Sequence, residues 1–343
     1  MNKQYALEIN NLSVSFFTAD GETEAVRDVS LSLRQGEVLA LVGESGCGKS
    51  VFCKAIMGLL SKDARIKSGE ILKDDRDIRT LSEREMQLLR GSGISMIFQD
   101  PLTSLNPTMT IGRQIAEAVK LHNRELNRQQ IKAKVLELLE LVGIPDAESR
   151  YDSYPYHFSG GMRQRCVMAI ALAADPQILI ADEPTTALDV TIQAEILNLL
   201  KEIQKKRNMS ILFVTHDLGV VAKIADRVAV MYAGKIVEYG MAEEIFYDAR
   251  HPYTWGLLSA LPYYARAKGE LQAIPGFPPH LTPPPKGDAF AVRNPYAMEI
   301  DYEEMPPFFP VSETHFAATW LLDEHAPEVV SPFREISKRR CGA

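Results

Sequence analysis

Residues 43–50, Gly43-Glu44-Ser45-Gly46-Cys47-Gly48-Lys49-Ser50, fit the pattern G-x-x-x-x-G-K-[ST] at every fixed position. That spacing suits phosphate chemistry. Successive backbone N–H groups turn inward, glycines let the backbone approach the phosphates, and the following helix presents its positive end. Lys49 would reach the β- and γ-phosphates, and Ser50 would hold Mg²⁺. Three further groups have chemistry a nucleotide could use. In Ser159-Gly160-Gly161-Met162 a hydroxyl and free amides open a helix, which makes either a second anion-binding element or an ordinary N-cap. Asp182-Glu183 puts two carboxylates at the end of an apolar run, where Asp182 suits a water-mediated contact to Mg²⁺ and Glu183 can polarise an attacking water. His216 either contacts a γ-phosphate and aligns the water or is structural.

The elements around these residues follow from apolar patterning. Val38–Val42 predicts a buried strand before the loop and residues 51–60 a helix after it, with Val51, Phe52, Ala55, Ile56, Leu59 and Leu60 on one face. Residues 5–9, 12–17 and 25–33 read as antiparallel strands beside this core. Phe16, ahead of a polar turn, either stacks on a base or fills a core or edge position. Residues 61–90 form a charged, Gly-containing segment, and 94–98 a short buried strand ending at Gln99. A glutamine there, before a turn-rich loop, can touch a metal or water at one end and a partner at the other. Residues 111–143 are helical by period and look like an inserted helical subdomain. Strands at 178–181 and 211–214 deliver Asp182-Glu183 and Thr215-His216-Asp217, at strand ends where ligands bind in open α/β sheets.

Composition narrows the class. The chain has 343 residues, enough for one large or two ordinary domains. Its 38 Lys+Arg against 45 Asp+Glu give a net charge of −7 with no basic stripe, so a nucleic-acid partner is not expected. No apolar run approaches the roughly 18 residues that span a bilayer, and Met1-Asn2-Lys3-Gln4-Tyr5 lacks the apolar core of a signal peptide. A cytosolic chain is the expectation. Cys47, Cys53, Cys166 and Cys341 suggest neither a disulfide framework nor a CxxC metal site. Cys47 is either activated by the loop amides or a small filler, and filler is the stronger reading.

Taken together, the ordered motifs resemble the ATP-binding cassette of ABC transporters over about residues 5–245. The resemblance implies an α/β P-loop NTPase cassette: a mixed core sheet, an antiparallel β-subdomain and an inserted helical subdomain at about 100–175, all within residues 1–250. It makes residues 43–50 the Walker A loop, Gln99 the Q-loop and a Mg²⁺ contact, 159–162 the signature, and 178–182 Walker B. Glu183 then takes the catalytic position, Ala187-Leu188-Asp189 the D-loop, His216 the switch, and Phe16 the adenine-stacking place. Phe158 and Met162 replace the commonest leucine and glutamine of the signature but leave Ser159, Gly160 and Gly161 in place.

Beyond the cassette, residues 251–343 open with His251-Pro252-Tyr253, and from Pro262 onward they hold thirteen of the twenty prolines. This Pro-rich C-terminal extension resembles that of the oligopeptide/dipeptide permease ATPases. Many of that branch carry four cysteines suited to an iron–sulfur cluster. Here Asp288, Asn294, Asp301 and Thr319 stand at those positions. Clusters rely chiefly on thiolates, so no cluster is expected, and the four are read as solvated loop residues rather than a hard-metal site.

The resemblance implies a subunit that hydrolyses ATP with Mg²⁺ and works as a head-to-tail dimer with a second ABC ATPase. Ser159 and Gly161 would act on the partner's nucleotide. Two transmembrane permease subunits and an extracytoplasmic substrate-binding protein complete such a system, and the ATPase lies peripherally on the cytoplasmic face of the membrane. Peptide is the implied cargo, with nickel or another small solute as the alternative. A soluble non-transport cassette fits less well, because neither a long coiled-coil interruption nor a second cassette with a charged linker is present.

Overall fold

The apolar runs that predict strands are strands. The computed structural model describes residues 4–19, 21–186, 188–261 and 274–333. Residues 1–3, Ala187 of the D-loop, Pro262 and Cys341 lie outside the described residues. In chain order come β1 (Tyr5–Thr18), β2 (Gly21–Arg34), β3 (Val38–Val42), α1 (Lys49–Ile56), β4 (Ala64–Lys73), β5 (Arg76–Asp77), α2 (Glu83–Ser92), β6 (Ile94–Ile97) and α3 (Pro101–Ser104). Then follow α4 (Ile111–His122), α5 (Arg128–Leu141), α6 (Ala147–Arg150), α7 (Gly160–Leu172), β7 (Ile178–Asp182), α8 (Val190–Arg207) and β8 (Ser210–Thr215). The last are α9 (Leu218–Ile224), β9 (Arg227–Tyr232), β10 (Lys235–Met241), α10 (Ala242–Asp248), α11 (Pro252–Ser259), α12 (Glu299–Glu303), β11 (Phe309–Pro310) and β12 (Phe316–Ala317).

These elements fall into two units. One comprises residues 1–6, 33–37 and 77–214. In it β6, β7 and β8 run parallel, with Ile94 opposite Ile178 and Ile180 opposite Leu212. β7 and β8 are buried along their whole length, as parallel strands covered on both faces are. Ile115 and Val119 of α4 and Val135, Leu138 and Leu139 of α5 are fully buried, so this helical layer has its own core. The predicted helical stretch 111–143 is two helices, because Asn123 caps the end of α4 and Asn127 opens α5 with a capping box to Gln130.

The other unit comprises residues 7–32, 38–76 and 215–343. Here β3 runs parallel to β9, which pairs antiparallel with β10, and β10 pairs with β12. A separate antiparallel sheet runs β2-β1-β4. The two predicted strands 5–9 and 12–17 are one strand, β1, whose register against β4 shifts between Asn10 and Val14. The left-handed φ of 51° at Asn11, a residue type that tolerates it, falls within this irregularity. Segment 61–90, read as merely charged, contains β4 and α2. Only Ala64, Ile71 and Lys73 of β4 are buried, so its sequence carries no apolar alternation, while α2 starts from a Ser82–Glu85 capping box. Tyr253, Trp255, Phe290 and Phe333 of the extension share one hydrophobic core with Ala40 and Val42 of β3 and with β9.

Candidate nucleotide site

The phosphate loop leaves the buried end of β3 and enters α1 at Lys49. Two of its glycines, Gly43 and Gly48, are required by space. A Cβ on Gly43 would lie 2.1 Å from the Met231 carbonyl oxygen, and one on Gly48, at φ 108°, would lie 2.3 Å from that of Ala25. On Gly46, at φ 81°, a Cβ would meet nothing within 4 Å, which leaves open space over the loop where phosphate belongs. Lys49 is buried, and its Nζ donates to the carbonyls of Gly43 at 2.8 Å and Glu44 at 2.9 Å. Burial pushes the Cys47 thiol above its usual range against the pull of Lys49. That supports the filler reading. Phe16 is half-buried on β1, opposite Ala64. His216 is exposed beyond β8.

In the other unit, Asp182 and Glu183 are both buried at the end of β7. Glu183 has φ 49°, an uncommon conformation for a non-glycine residue, and its N–H donates to Val214 at 2.8 Å. Its Oε2 accepts from Gln99 Nε2 and from Thr186 Oγ1, each at 3.0 Å. The structure thus brings Gln99 to the carboxylate rather than leaving it a free loop residue. Ser159 is the N-cap of α7, with its Oγ accepting the Met162 N–H at 3.3 Å. Ser159 and Gly160 are exposed at this helix start, while Gly161 is pinned because a Cβ there would lie 2.6 Å from Ile192. Asp189 caps α8 by accepting from Thr191 and Ile192.

The four extension positions differ from expectation. Asp288, Asn294, Asp301 and Thr319 are buried, not solvated. Each instead accepts a nearby backbone N–H: Asp288 from Phe290 at 2.9 Å, Asn294 from Tyr296 at 3.0 Å, Asp301 from Met298 at 2.7 Å and Thr319 from Leu321 at 3.4 Å. They are local turn-formers. Among the described residues no group of three or more His, Cys, Asp or Glu is placed to hold a metal ion.

Burial pushes Asp288 up to about 6 from 3.8. The folded state then holds this proton more tightly than the unfolded one, so Asp288 lowers stability as pH climbs from 3.8 through about 6. Asp288→Asn keeps an oxygen for the Phe290 N–H and removes the charge. We expect the variant to match wild type near pH 4 and to exceed it at pH 7.5, by up to about 3 kcal/mol for a shift of two units. Urea unfolding at both pH values measures this, and a difference that does not change with pH contradicts it.

Two contacts to the loop carry no local sequence signal. Tyr253 Oη accepts the Glu44 N–H at 2.8 Å, and Arg293 pairs with the Glu44 carboxylate. Of the His-Pro-Tyr sequence, His251 Nδ1 caps α11 by accepting the Tyr253 N–H, and Pro252 takes its first position.

The ABC transporter family matches residues 26–186, and the oligopeptide/dipeptide transporter C-terminal region matches residues 237–300. The chain is 58% identical over 329 residues to the dipeptide transport ATP-binding protein DppD of Lactococcus lactis subsp. cremoris, covering 96% of this chain and 94% of the relative. It is also 58% identical to the oligopeptide transport ATP-binding protein OppD of Bacillus subtilis, covering 97% and 94%. Among solved structures it is similar to the dimeric post-hydrolysis state of the ATP-binding cassette MJ0796 bound to ADP and Pi, with a TM-score of 0.62, 25% identity, and coverage of 69% of this chain and 98% of that one.

Proposed function

The chain belongs to the ABC transporter family, and from that membership we propose that it is the ATP-hydrolysing subunit of an importer of oligopeptides or dipeptides. The observation that carries the proposal is the phosphate loop, whose Gly43 and Gly48 leave no room for a Cβ and whose Lys49 is held inside it. Identity over nearly the full length with DppD and OppD supports peptide as the cargo. In this reading residues 1–250 are the cassette and 251–343 the extension of the peptide-permease branch.

ATP lies with its phosphates on the amides of Ser45, Gly46, Cys47 and Gly48 and on Lys49, and with its base against Phe16. Ser50, with Gln99 and with Asp182 through water, has the oxygen donors Mg²⁺ prefers. Mg²⁺, when bound, neutralises charge developing between the β- and γ-phosphates. Glu183 takes the proton of the attacking water, and His216 faces the γ-phosphate. Ser159 and Gly160, both exposed, with Gly161 and Met162, serve the nucleotide of a second ATPase subunit, with Asp189 at the same interface. The dimeric cassette of the related structure supports such pairing. Closure over ATP and opening after hydrolysis shift two permease subunits between states, because ATP prefers the closed form. The subunit sits on the cytoplasmic face of the membrane, and an extracytoplasmic binding protein brings the peptide. No helix among the described residues is long and apolar enough to cross a membrane.

The test is reconstitution of this chain with its co-purifying membrane subunits in proteoliposomes. Peptide-loaded binding protein is expected to stimulate ATP hydrolysis and drive uptake of labelled peptide. Uptake of nickel with none of peptide would overturn the cargo assignment.

A further inference from the structure

Glu44, the second residue of the phosphate loop, is held twice by the C-terminal extension. Arg293 Nη1 donates to its Oε2 at 2.6 Å and Nη2 to its Oε1 at 3.0 Å, a bidentate pair with the guanidinium only 4% exposed. The guanidinium is itself fixed, since Arg293 Nε donates to the Pro275 carbonyl at 2.8 Å and the group lies over the rings of Tyr232 and Phe290. The backbone of Glu44 is held separately, its N–H donating to Tyr253 Oη. Tyr253 is wholly buried, and its ring packs 4.5 Å from Tyr232 and 5.4 Å from Phe290, centroid to centroid. Burial keeps this phenol neutral.

Two physical consequences follow. A carboxylate on a phosphate-binding loop repels a polyphosphate unless a cation neutralises it, and Arg293 is that cation. A loop held at both the amide and the side chain of one residue also loses fewer conformations when ligand orders it. Arg293 and Tyr253 touch Glu44, not the phosphates, so they are positioning residues.

We propose that the C-terminal extension is a positioning element for the phosphate loop, with Arg293 and Tyr253 fixing Glu44 so that nucleotide binding and docking of the extension are energetically coupled. The coupling is reciprocal: nucleotide tightens the extension by the factor by which the docked extension tightens nucleotide. The inference rests on the reading that this loop binds ATP.

The experiment uses the full chain and a fluorescent ATP analogue in equilibrium titration, together with backbone hydrogen exchange of residues 289–303. Wild type is expected to bind the analogue, and the analogue to slow exchange in that segment. Arg293→Ala weakens binding about tenfold or more, the scale of a lost charge-assisted pair. Removing the stranded carboxylate in Arg293→Ala/Glu44→Ala restores part of that loss, a recovery that mere loosening of the extension would not give. Should Arg293→Ala fail to fold, Glu44→Gln carries the test from the other side, since this change in the loop is expected to speed exchange in residues 289–303. No binding by wild type would overturn the ATP reading itself. Binding by wild type with affinity within twofold in Arg293→Ala, or exchange unchanged in Glu44→Gln, overturns the coupling alone.

Discussion

Glu183→Gln is expected to lower ATP turnover of the assembled transporter by about 10² to 10⁴-fold, the usual contribution of a positioned general base, while leaving nucleotide affinity intact. The carboxylate sits buried at the end of β7 with Oε2 already bonded to Gln99 and Thr186. Glutamine has the same size and retains an oxygen for those two donors. Its amide cannot take a proton from water. The left-handed backbone at this position stays as it is, because the change lies beyond Cβ. Turnover has to be read with the partner ATPase also inactivated at its own general base, so that one intact site does not mask the other. Hydrolysis near the wild-type rate under those conditions would remove Glu183 from the mechanism.

Lys49→Ala is expected to act on binding. The ammonium is buried, and it ties together the carbonyls of Gly43 and Glu44 at the mouth of the loop. Its loss removes the one cationic side chain inside the loop and two charge-assisted hydrogen bonds. ATP affinity is expected to fall by about 10 to 100-fold, the range for hydrogen bonds to charged groups. Equilibrium titration with a non-hydrolysable analogue measures this directly. An unchanged Kd would show that the backbone amides alone carry the phosphates. The two variants also separate the roles, since Glu183→Gln should bind without turning over and Lys49→Ala should hardly bind.

Most of the local structure around the candidate residues was legible because its signals are local. An apolar run and a fixed glycine spacing specify the strand, loop and helix start around Lys49, and the structure places β3 at Val38–Val42 as read, while α1 ends at Ile56, short of the 51–60 read, and leaves Leu59 exposed. Ser159 at a helix start and the carboxylates after β7 were likewise readable from short windows. Longer links were not. Gln99 meets Glu183 from 84 residues away, Tyr253 meets Glu44 from 209 and Arg293 from 249, and no spacing rule reaches that far. β4 escaped for a different reason: few of its residues are fully buried, so pairing with β1 rather than its own pattern makes it a strand. The four positions read as solvated failed because polarity was taken for exposure. A polar side chain that satisfies an adjacent amide can be buried at little cost.

Those four turn-forming residues hold the extension through bonds to its own backbone. Oxygen acceptors need no metal delivery, no sulfide and no reducing surroundings before they can hold a chain. Phe290 and Arg293 belong to the same segment, so the turns also place the side chain that pairs with Glu44 of the phosphate loop. Holding these four turns draws on neither a thiolate nor iron, only on side-chain oxygens that the chain itself carries.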